Sequence, residues 1–387
     1  MEHSPPTNGK LPRELLEIVF EDLCITIQDE DLDPVQMDRL LLVCRFWTTV
    51  ALDYRRLWSS IFISLRSEFE YAFWTSYART RLQRAGPTEP LQITLITKSL
   101  YNQTDQGEEI KILLSILTGP TGEVARRWKQ LVFEPLRRDT PIGIYDRFFS
   151  FPTPKLEILQ LARVFIHQTC EFLPDTTSLS RLCMRWCNIP PIKHVSSLTC
   201  LECDIAGAAD ASLLEQATRL EKYQCIGLQY WHLTRAVLLP RLLDLDIRTP
   251  LSSGSISRLV TPNLVKFCIR LSSSSDISRI LDASGIPLVK LRELDLYSSS
   301  FGQQLDPREL RKLLLATPNL EKLRCRKPTA AIPVLNLLLE MDHLHETAPG
   351  LRFGCGDDTT LLGVGEEKRM VIMRFLRILK PKRGYPF

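Results

Sequence analysis

The chain has 387 residues, 44% of them hydrophobic and 24% charged, with a formal net charge of +4. That composition supports packed cores and excludes wholesale disorder, and so small a charge does not by itself argue for nucleic acid. The 11 cysteines are odd in number and scattered through apolar segments, unlike a disulfide framework. No apolar run reaches the length of a bilayer span, and Met1 to Lys10 is polar and holds Pro5, Pro6 and Gly9, which argues against a secretory signal. The expectation is a cytosolic or nuclear protein with a disordered stretch at 1–10.

Leu11-Pro12-Arg13-Glu14-Leu15-Leu16-Glu17-Ile18-Val19-Phe20 opens the ordered part. Pro12 suits the first helical position, and Leu15, Leu16, Ile18, Val19 and Leu23 recur at helical steps. A second helix is expected from Asp33 as N-cap and Pro34 through Met37, Leu40, Leu41, Val43, Cys44, Trp47, Val50 and Ala51. Leu57-Trp58 follows, then Ile61-Phe62-Ile63.

The order L-P-x-E-L-L-x-x-[IV]-F, then V-C-R-x-W, then L-W resembles the F-box, and the chain is similar to fungal F-box domain-containing proteins. The resemblance covers 11–65. It implies a small helical module that docks on the Skp-type linker protein of an SCF-type ubiquitin ligase. It nominates Leu11, Pro12, Leu15 and Ile18, with Val43 and Trp47, for that interface or the core beneath it. The chain departs from the family in the long acidic connection Cys24 to Leu32, with Asp29, Glu30 and Asp31.

Ser67 and Glu70 form a capping box for a helix carrying Phe69, Tyr71, Phe73, Trp74 and Tyr77, which ends at Gly86-Pro87. These aromatics read as a weld between modules, and Arg79, Arg81 and Arg84 as a solvated face. Leu91, Ile93 and Leu95 alternate with polar residues as in a strand. The segment 66–98 is thus a linking helix and strand.

Beyond it the unit L-x-x-L-x-L recurs, beginning at Leu156, Leu179, Leu198, Leu220, Leu242, Leu264, Leu291 and Leu320, with a degenerate copy at Trp128. Intervals between starts run from 19 to 29 residues, which resembles leucine-rich repeats. Three lead-ins are nearly identical: Thr153-Pro154-Lys155-Leu156, Thr261-Pro262-Asn263-Leu264 and Thr317-Pro318-Asn319-Leu320. Helices are expected over Ala208 to Leu220, Asp276 to Ala283 and Pro307 to Ala316, the last capped by Asp306. The expected class is therefore α+β multidomain: a helical F-box module, then an α/β solenoid over 99–330 and capping helices over 331–387, where Glu366-Glu367 opens and Lys380, Lys382 and Arg383 close a basic amphipathic helix.

Cys200-x-x-Cys203, with Cys183, Cys187 and His194 nearby, has the look of a zinc site, but the repeat register turns Cys203 inward with Cys225 and Cys325. His343 and His345 lack the HExxH order, and Gly354-Cys355-Gly356 and Gly363-Val364-Gly365 lack a dinucleotide fingerprint. No catalytic residue, metal site or cofactor is expected. Recognition is expected on the outward strand positions, with Arg185, Glu202, Asp244, Asp246, Arg270, Tyr297 and Arg324 as the candidate target-binding surface. The resemblance implies a substrate receptor that joins the linker and cullin to a target protein; the alternative is an F-box interaction scaffold without ligase function. Neither nucleic acid nor membrane is an expected partner.

Overall fold

The computed structural model describes residues 12–29, 39–65, 71–97, 106–135, 143–167, 169–187, 192–204, 213–226, 233, 235–248, 255–271, 274–298, 306–325, 334, 337, 352–355 and 362–363. It is an α/β protein whose strands are mostly parallel. The chain divides into two compact units, Met1–Leu179 with Asn188–Lys193, and Ser180–Cys187 with His194–Phe387. The expected disordered stretch at 1–10, the capping box at 67–70, the helix around His343 and the terminal basic helix lie outside the described residues; of the acidic connection expected from Cys24 to Leu32, residues 24–29 instead continue the first helix, which runs Arg13–Asp29, and 30–32 lie outside the described residues.

The first unit opens with helix α1 (Arg13–Asp29), then a short 3-10 turn Leu40–Leu42, α2 (Arg45–Asp53) and α3 (Arg55–Trp58). The single second helix expected from Asp33 to Ala51 is broken: Cys44 is fully extended, at φ −165° and ψ 165°, so α2 starts afresh after it. The Thr48 hydroxyl holds the break, meeting the Leu41 carbonyl at 2.6 Å and the Cys44 carbonyl at 3.0 Å. Trp58 is buried beneath these helices and donates its indole N–H to the Ala51 carbonyl at 2.7 Å.

Strand β1 (Ser60–Leu65) pairs in parallel with β2 (Leu91–Thr97), β2 with β3 (Trp128–Glu134), and β3 with β4 (Ile158–Ala162). The segment expected as a link thus supplies a strand paired on both sides. Alternation explains the pairing: Leu91, Ile93 and Leu95 are buried, as are Leu131 and Phe133 in register beside them. Helix α4 (Tyr71–Ala85) ends at Gly86, whose φ of 73° is a left-handed stop. One expectation for α4 fails. Arg81 is buried, not solvated: its guanidinium lies 4.8 Å from the Trp58 ring centroid and 5.1 Å from that of Tyr77, and Nη1 donates to the Leu57 carbonyl at 3.0 Å. Two aromatic faces and a carbonyl replace water around the cation. Helix α5 (Gln106–Thr118) and helix α6 (Asp146–Phe149) complete the unit, with Phe133 edge-on to Tyr145 and tilted against Phe149.

In the second unit β5 (Arg181–Arg185), β6 (Cys200–Cys203), β7 (Lys222–Cys225), β9 (Asp244–Ile247), β11 (Lys266–Leu271), β12 (Glu293–Ser298), β13 (Lys322–Cys325) and β14 (Arg352–Cys355) form a parallel ladder, and β15 (Leu362–Gly363) adds antiparallel to β14. A separate parallel pair joins β8 (Val237–Leu238) to β10 (Leu259–Val260). Helices α7 (Ser274–Leu281) and α8 (Pro307–Ala316) lie between strands, and Asp306 caps α8 by accepting the Arg308 N–H at 2.8 Å. Of the helix expected over Ala208 to Leu220, only residues 213–216 are described as helical.

Each strand is prepared the same way. The backbone N–H of its leading leucine bonds back three residues: Leu198 to Val195, Leu220 to Ala217, Leu242 to Leu239, Leu264 to Thr261, Leu291 to Leu288 and Leu320 to Thr317. The residue just before a strand then offers one carbonyl to two N–H groups of the next, as Leu243 does to Val265 and Lys266 and Arg292 does to Glu321 and Lys322. Leu201, Tyr223, Leu245, Phe267, Leu294 and Leu323 share one buried row in register, and Cys203, Cys225, Ile247, Ile269, Leu296 and Cys325 share the next. The cysteines fill a packing slot, as their spacing predicts. At β5 the slot slips: Cys183 is buried and Met184 half-buried, the reverse of the expected pattern. Gly285 packs so tightly that an added Cβ would sit 2.1 Å from the Leu259 carbonyl oxygen, while its own carbonyl accepts the Thr261 N–H at 2.8 Å.

Candidate functional site

Two surfaces carry the sequence-nominated residues, one in each unit. The first is on the helical head. Leu16 and Phe20, four residues apart on α1, are fully buried, and the Phe20 ring meets Trp47 edge-on at 5.7 Å. Leu15, Ile18 and Val19 follow the same three- and four-residue spacing on another face and stay in solvent. Leu15 is 48% exposed, Ile18 54%, Leu42 82% and Val43 56%. Pro12 is exposed, and its carbonyl accepts the N–H groups of Leu15 and Leu16 at 3.1 and 3.2 Å. Leu11 lies outside the described residues. Trp47 belongs to the half-buried layer against Phe20, beneath the exposed face.

Beside this face the head is tied by polar contacts. Tyr54 donates its hydroxyl to Glu21 at 2.5 Å, and Arg56 pairs with the same carboxylate at 2.8 Å. Burial, and then the Glu21 carboxylate, push the Tyr54 phenol up to about 12.

The second surface is the polar face of the ladder in the second unit. Arg181, Cys200, Lys222, Asp244, Lys266, Glu293 and Lys322 stand in one register row, and Cys183, Glu202, Gln224, Asp246, Cys268, Asp295 and Arg324 in the next. In the first row the sign alternates from Lys222 through Asp244, Lys266 and Glu293 to Lys322, while in the second the acids Glu202, Asp246 and Asp295 are separated by neutral residues. Lys266 pairs with Asp244 at 3.1 Å, Lys322 with Glu293, Arg324 with Asp295 at 4.0 Å, and Arg185 with Glu202 at 2.6 Å. Arg248 folds back on Asp246, with contacts of 3.0, 3.1 and 2.7 Å, and Gln224 adds a bond to the same carboxylate at 3.1 Å.

This corrects one nomination. Asp246 is buried and already saturated by Arg248 and Gln224, so it holds the face together and is not a free contact for a target. Its neighbour Cys268 is buried too, its thiol pushed up by burial and by Asp246, and Asp295 on the far side is equally covered. A middle strand position is shielded when long arginine and lysine side chains from both sides lie across it. Arg185, Glu202, Asp244, Arg270, Tyr297 and Arg324 keep exposed or half-buried side chains.

Two features escaped the sequence reading. Trp186, directly after β5, holds a left-handed backbone (φ 57°) and is 52% exposed, with its N–H clamped to the Asp204 carboxylate at 2.5 Å. Burial raises the Asp204 carboxyl, against the pull of that N–H. No periodic pattern flags a residue just past a strand. The other feature is a cleft of about 740 Å³ where β9, β11, β12 and β13 begin, lined by Leu243, Asn263, Val265, Val289, Lys290, Arg292, Asn319 and Glu321. Its lining comes from the lead-in turns, whose residues the repeat pattern leaves unspecified.

Among the described residues no group of three or more His, Cys, Asp or Glu side chains is placed to hold a metal ion, and no helix is long and apolar enough to cross a membrane. No protein-family model and no curated protein matches the chain.

Proposed function

We propose that the protein is a non-catalytic adaptor, the substrate receptor of an SCF-type ubiquitin ligase in the cytosol or nucleus. In this reading the head is an F-box that docks on a Skp-type linker protein and through it on the cullin. The ladder is a leucine-rich-repeat solenoid that holds a target protein, and ubiquitin transfer belongs to other subunits. Catalysis is then by proximity, the target being concentrated beside the charged carrier enzyme.

The observation that carries this reading is the division of α1 into two apolar faces. Leu16 and Phe20 supply the core while Leu15 and Ile18, four and seven residues after Leu11, remain in water. A partner that covered such a face would remove its apolar surface from water. Burying each of these half-exposed side chains in a groove contributes about 1 kcal/mol. The resemblance of Leu-Pro, Val43-Cys44-Arg45-Phe46-Trp47 and Leu57-Trp58 to the F-box order is what favours a Skp-type linker as that partner.

The test is co-purification of the Skp-type linker and cullin with the tagged full chain, compared with Leu15→Asp/Ile18→Asp. Both partners should be lost from the variant while its thermal unfolding stays within about 2 °C of the parent. Leu16→Ala is the contrasting change, destabilising by about 2–5 kcal/mol because its side chain is core. Linker binding without cullin would favour the scaffold alternative, and linker binding indifferent to Leu15 and Ile18 would reject the head assignment.

A further inference from the structure

The polar face of the second unit is nearly complete in charge. Glu202, Asp244, Asp246, Glu293 and Asp295 each face a cation from a neighbouring residue. Arg270, on β11, breaks the pattern. Its Nη1 makes a long 3.3 Å bond to the Arg248 carbonyl, its Nε is buried with no partner, and among the described residues no carboxylate lies within ion-pair distance of it. A guanidinium held in place with unused donors is the arrangement that receives an oxyanion. Tyr297 stands beside it in register on β12.

Trp186 lies on the same unit at the same end of the strands. Arg163 occupies the equivalent position after β4 and is also left-handed, at φ 58°, so the turn itself asks for this backbone. Glycine or asparagine would meet that demand at least strain; a bulky aromatic is the poor choice for folding. Yet the indole is turned to solvent and its backbone is pinned by Asp204, which is how an aromatic anchor is displayed to a partner. From β5 to β11 is four strand steps through β6, β7 and β9. At about 4.8 Å each these span roughly 19 Å, the reach of about six residues of extended chain.

We propose that the C-terminal ends of these strands bind an extended acidic peptide of a partner protein, an apolar side chain packing on Trp186 and one carboxylate closing on Arg270. The proposal rests on the adaptor reading, for which it supplies the class of target. A carboxylate is favoured over a phosphate by the local charge. At this end of the strands Arg185, Arg248 and Arg324 are paired and Arg270 alone of these has no carboxylate among the described residues, while the adjacent row holds Asp246 and Asp295, so a second negative charge there would have no cation of its own.

The experiment selects random decapeptides displayed on phage against the full-length protein, then measures synthetic copies of the enriched sequences by fluorescence anisotropy. The expected consensus pairs an aromatic or aliphatic residue with Asp or Glu about six positions away. Affinity should fall tenfold or more for Arg270→Gln, for Trp186→Gly and for the peptide with its acid changed to Gln. Trp186→Gly should bind weakly without any loss of thermal stability, because glycine relieves the left-handed strain; a merely structural tryptophan would lower both together. No enrichment, binding indifferent to Trp186 and Arg270, or tighter binding when the acid is replaced by phosphoserine would each overturn the proposal. Co-purification of the Skp-type linker is scored on the same preparation. Linker retained with no acidic peptide selected sinks the peptide site alone, and acidic peptide bound with no linker sinks the adaptor reading alone.

Discussion

The side-chain amide of Asn319 donates a 2.8 Å hydrogen bond to the carbonyl of Val289, the residue that occupies the second position of the preceding lead-in turn. The same geometry returns three times: Asn263 to Pro240 at 2.9 Å, Lys290 to Pro262 at 2.8 Å, and, in the first unit, Ser178 to Pro154 at 2.7 Å. In these four turns the third residue therefore stitches its repeat to the one before. Asn319→Ala is expected to destabilise the second unit by about 1 kcal/mol, since a net hydrogen bond is worth that much at a partly exposed site. Urea unfolding followed by tyrosine and tryptophan fluorescence checks it; Asn319→Ser, which keeps a donor, should recover part of the loss.

The threonines of the same turns behave unequally. Thr153, Thr176 and Thr261 are fully buried and their hydroxyls have no partner, whereas the Thr317 hydroxyl bonds the Leu313 carbonyl at 3.1 Å and the Leu314 carbonyl at 3.2 Å. Val195, Ala217 and Leu239 fill the equivalent position in other repeats. Thr261→Val should raise stability by about 1 kcal/mol by removing an unsatisfied hydroxyl, and Thr317→Val should lower it by a similar amount. Denaturation midpoints of the two variants, moving in opposite directions, test the claim.

Arg81 is a buried cation with aromatic faces in place of a counter-charge. Arg81→Ala leaves a cavity against Trp58 and strips the Leu57 carbonyl of its donor, at a loss of about 3 kcal/mol or more. Arg81→Met fills the space and should cost nearer 1 kcal/mol, the value of the lost hydrogen bond. Equal losses for the two variants, read from thermal unfolding, would show that the stacked charge and not its volume matters.

Asp204 gives a pH test. Its folded-state carboxyl is raised by burial, so ionisation is less favourable in the fold than in the unfolded chain. The penalty is fully present above the folded value and disappears as pH falls below the unfolded value of about 3.9. Asp204→Asn keeps an oxygen to accept the Trp186 N–H and removes the penalty. The variant should melt higher than the parent at pH 7, with the gap closing toward pH 4. A gap that widens on acidification would reverse the assignment.

Much of this molecule was legible in its sequence because period encodes burial. The leucines at 198, 201, 242, 245, 291, 294, 320 and 323 are buried in strands or their lead-ins where the repeat pattern puts them. Asp306 caps α8 as its position before Pro307 predicts. What stayed hidden depends on contacts between residues distant in sequence. Arg81 reads as a surface charge until Trp58 is folded over it. Asp246 reads as an outward acid until Arg248, two residues on, turns back to cover it. The break at Cys44 is invisible because the residues around it are all compatible with helix. The Trp186 site has no periodic signature at all, since it depends on a backbone φ and an unpaired guanidinium four strands away.

The closeness of Gly285 to Leu259 offers geneticists a sharp instrument. A single methyl group at that codon would land 2.1 Å from a main-chain oxygen, too near for any rotamer change to relieve. Glycine-to-alanine there is the gentlest possible chemical edit with a disruptive outcome confined at its origin to the second unit. An allele of this kind, set beside one that alters only Leu15 and Ile18, would let the two halves of the molecule be switched off separately in living cells.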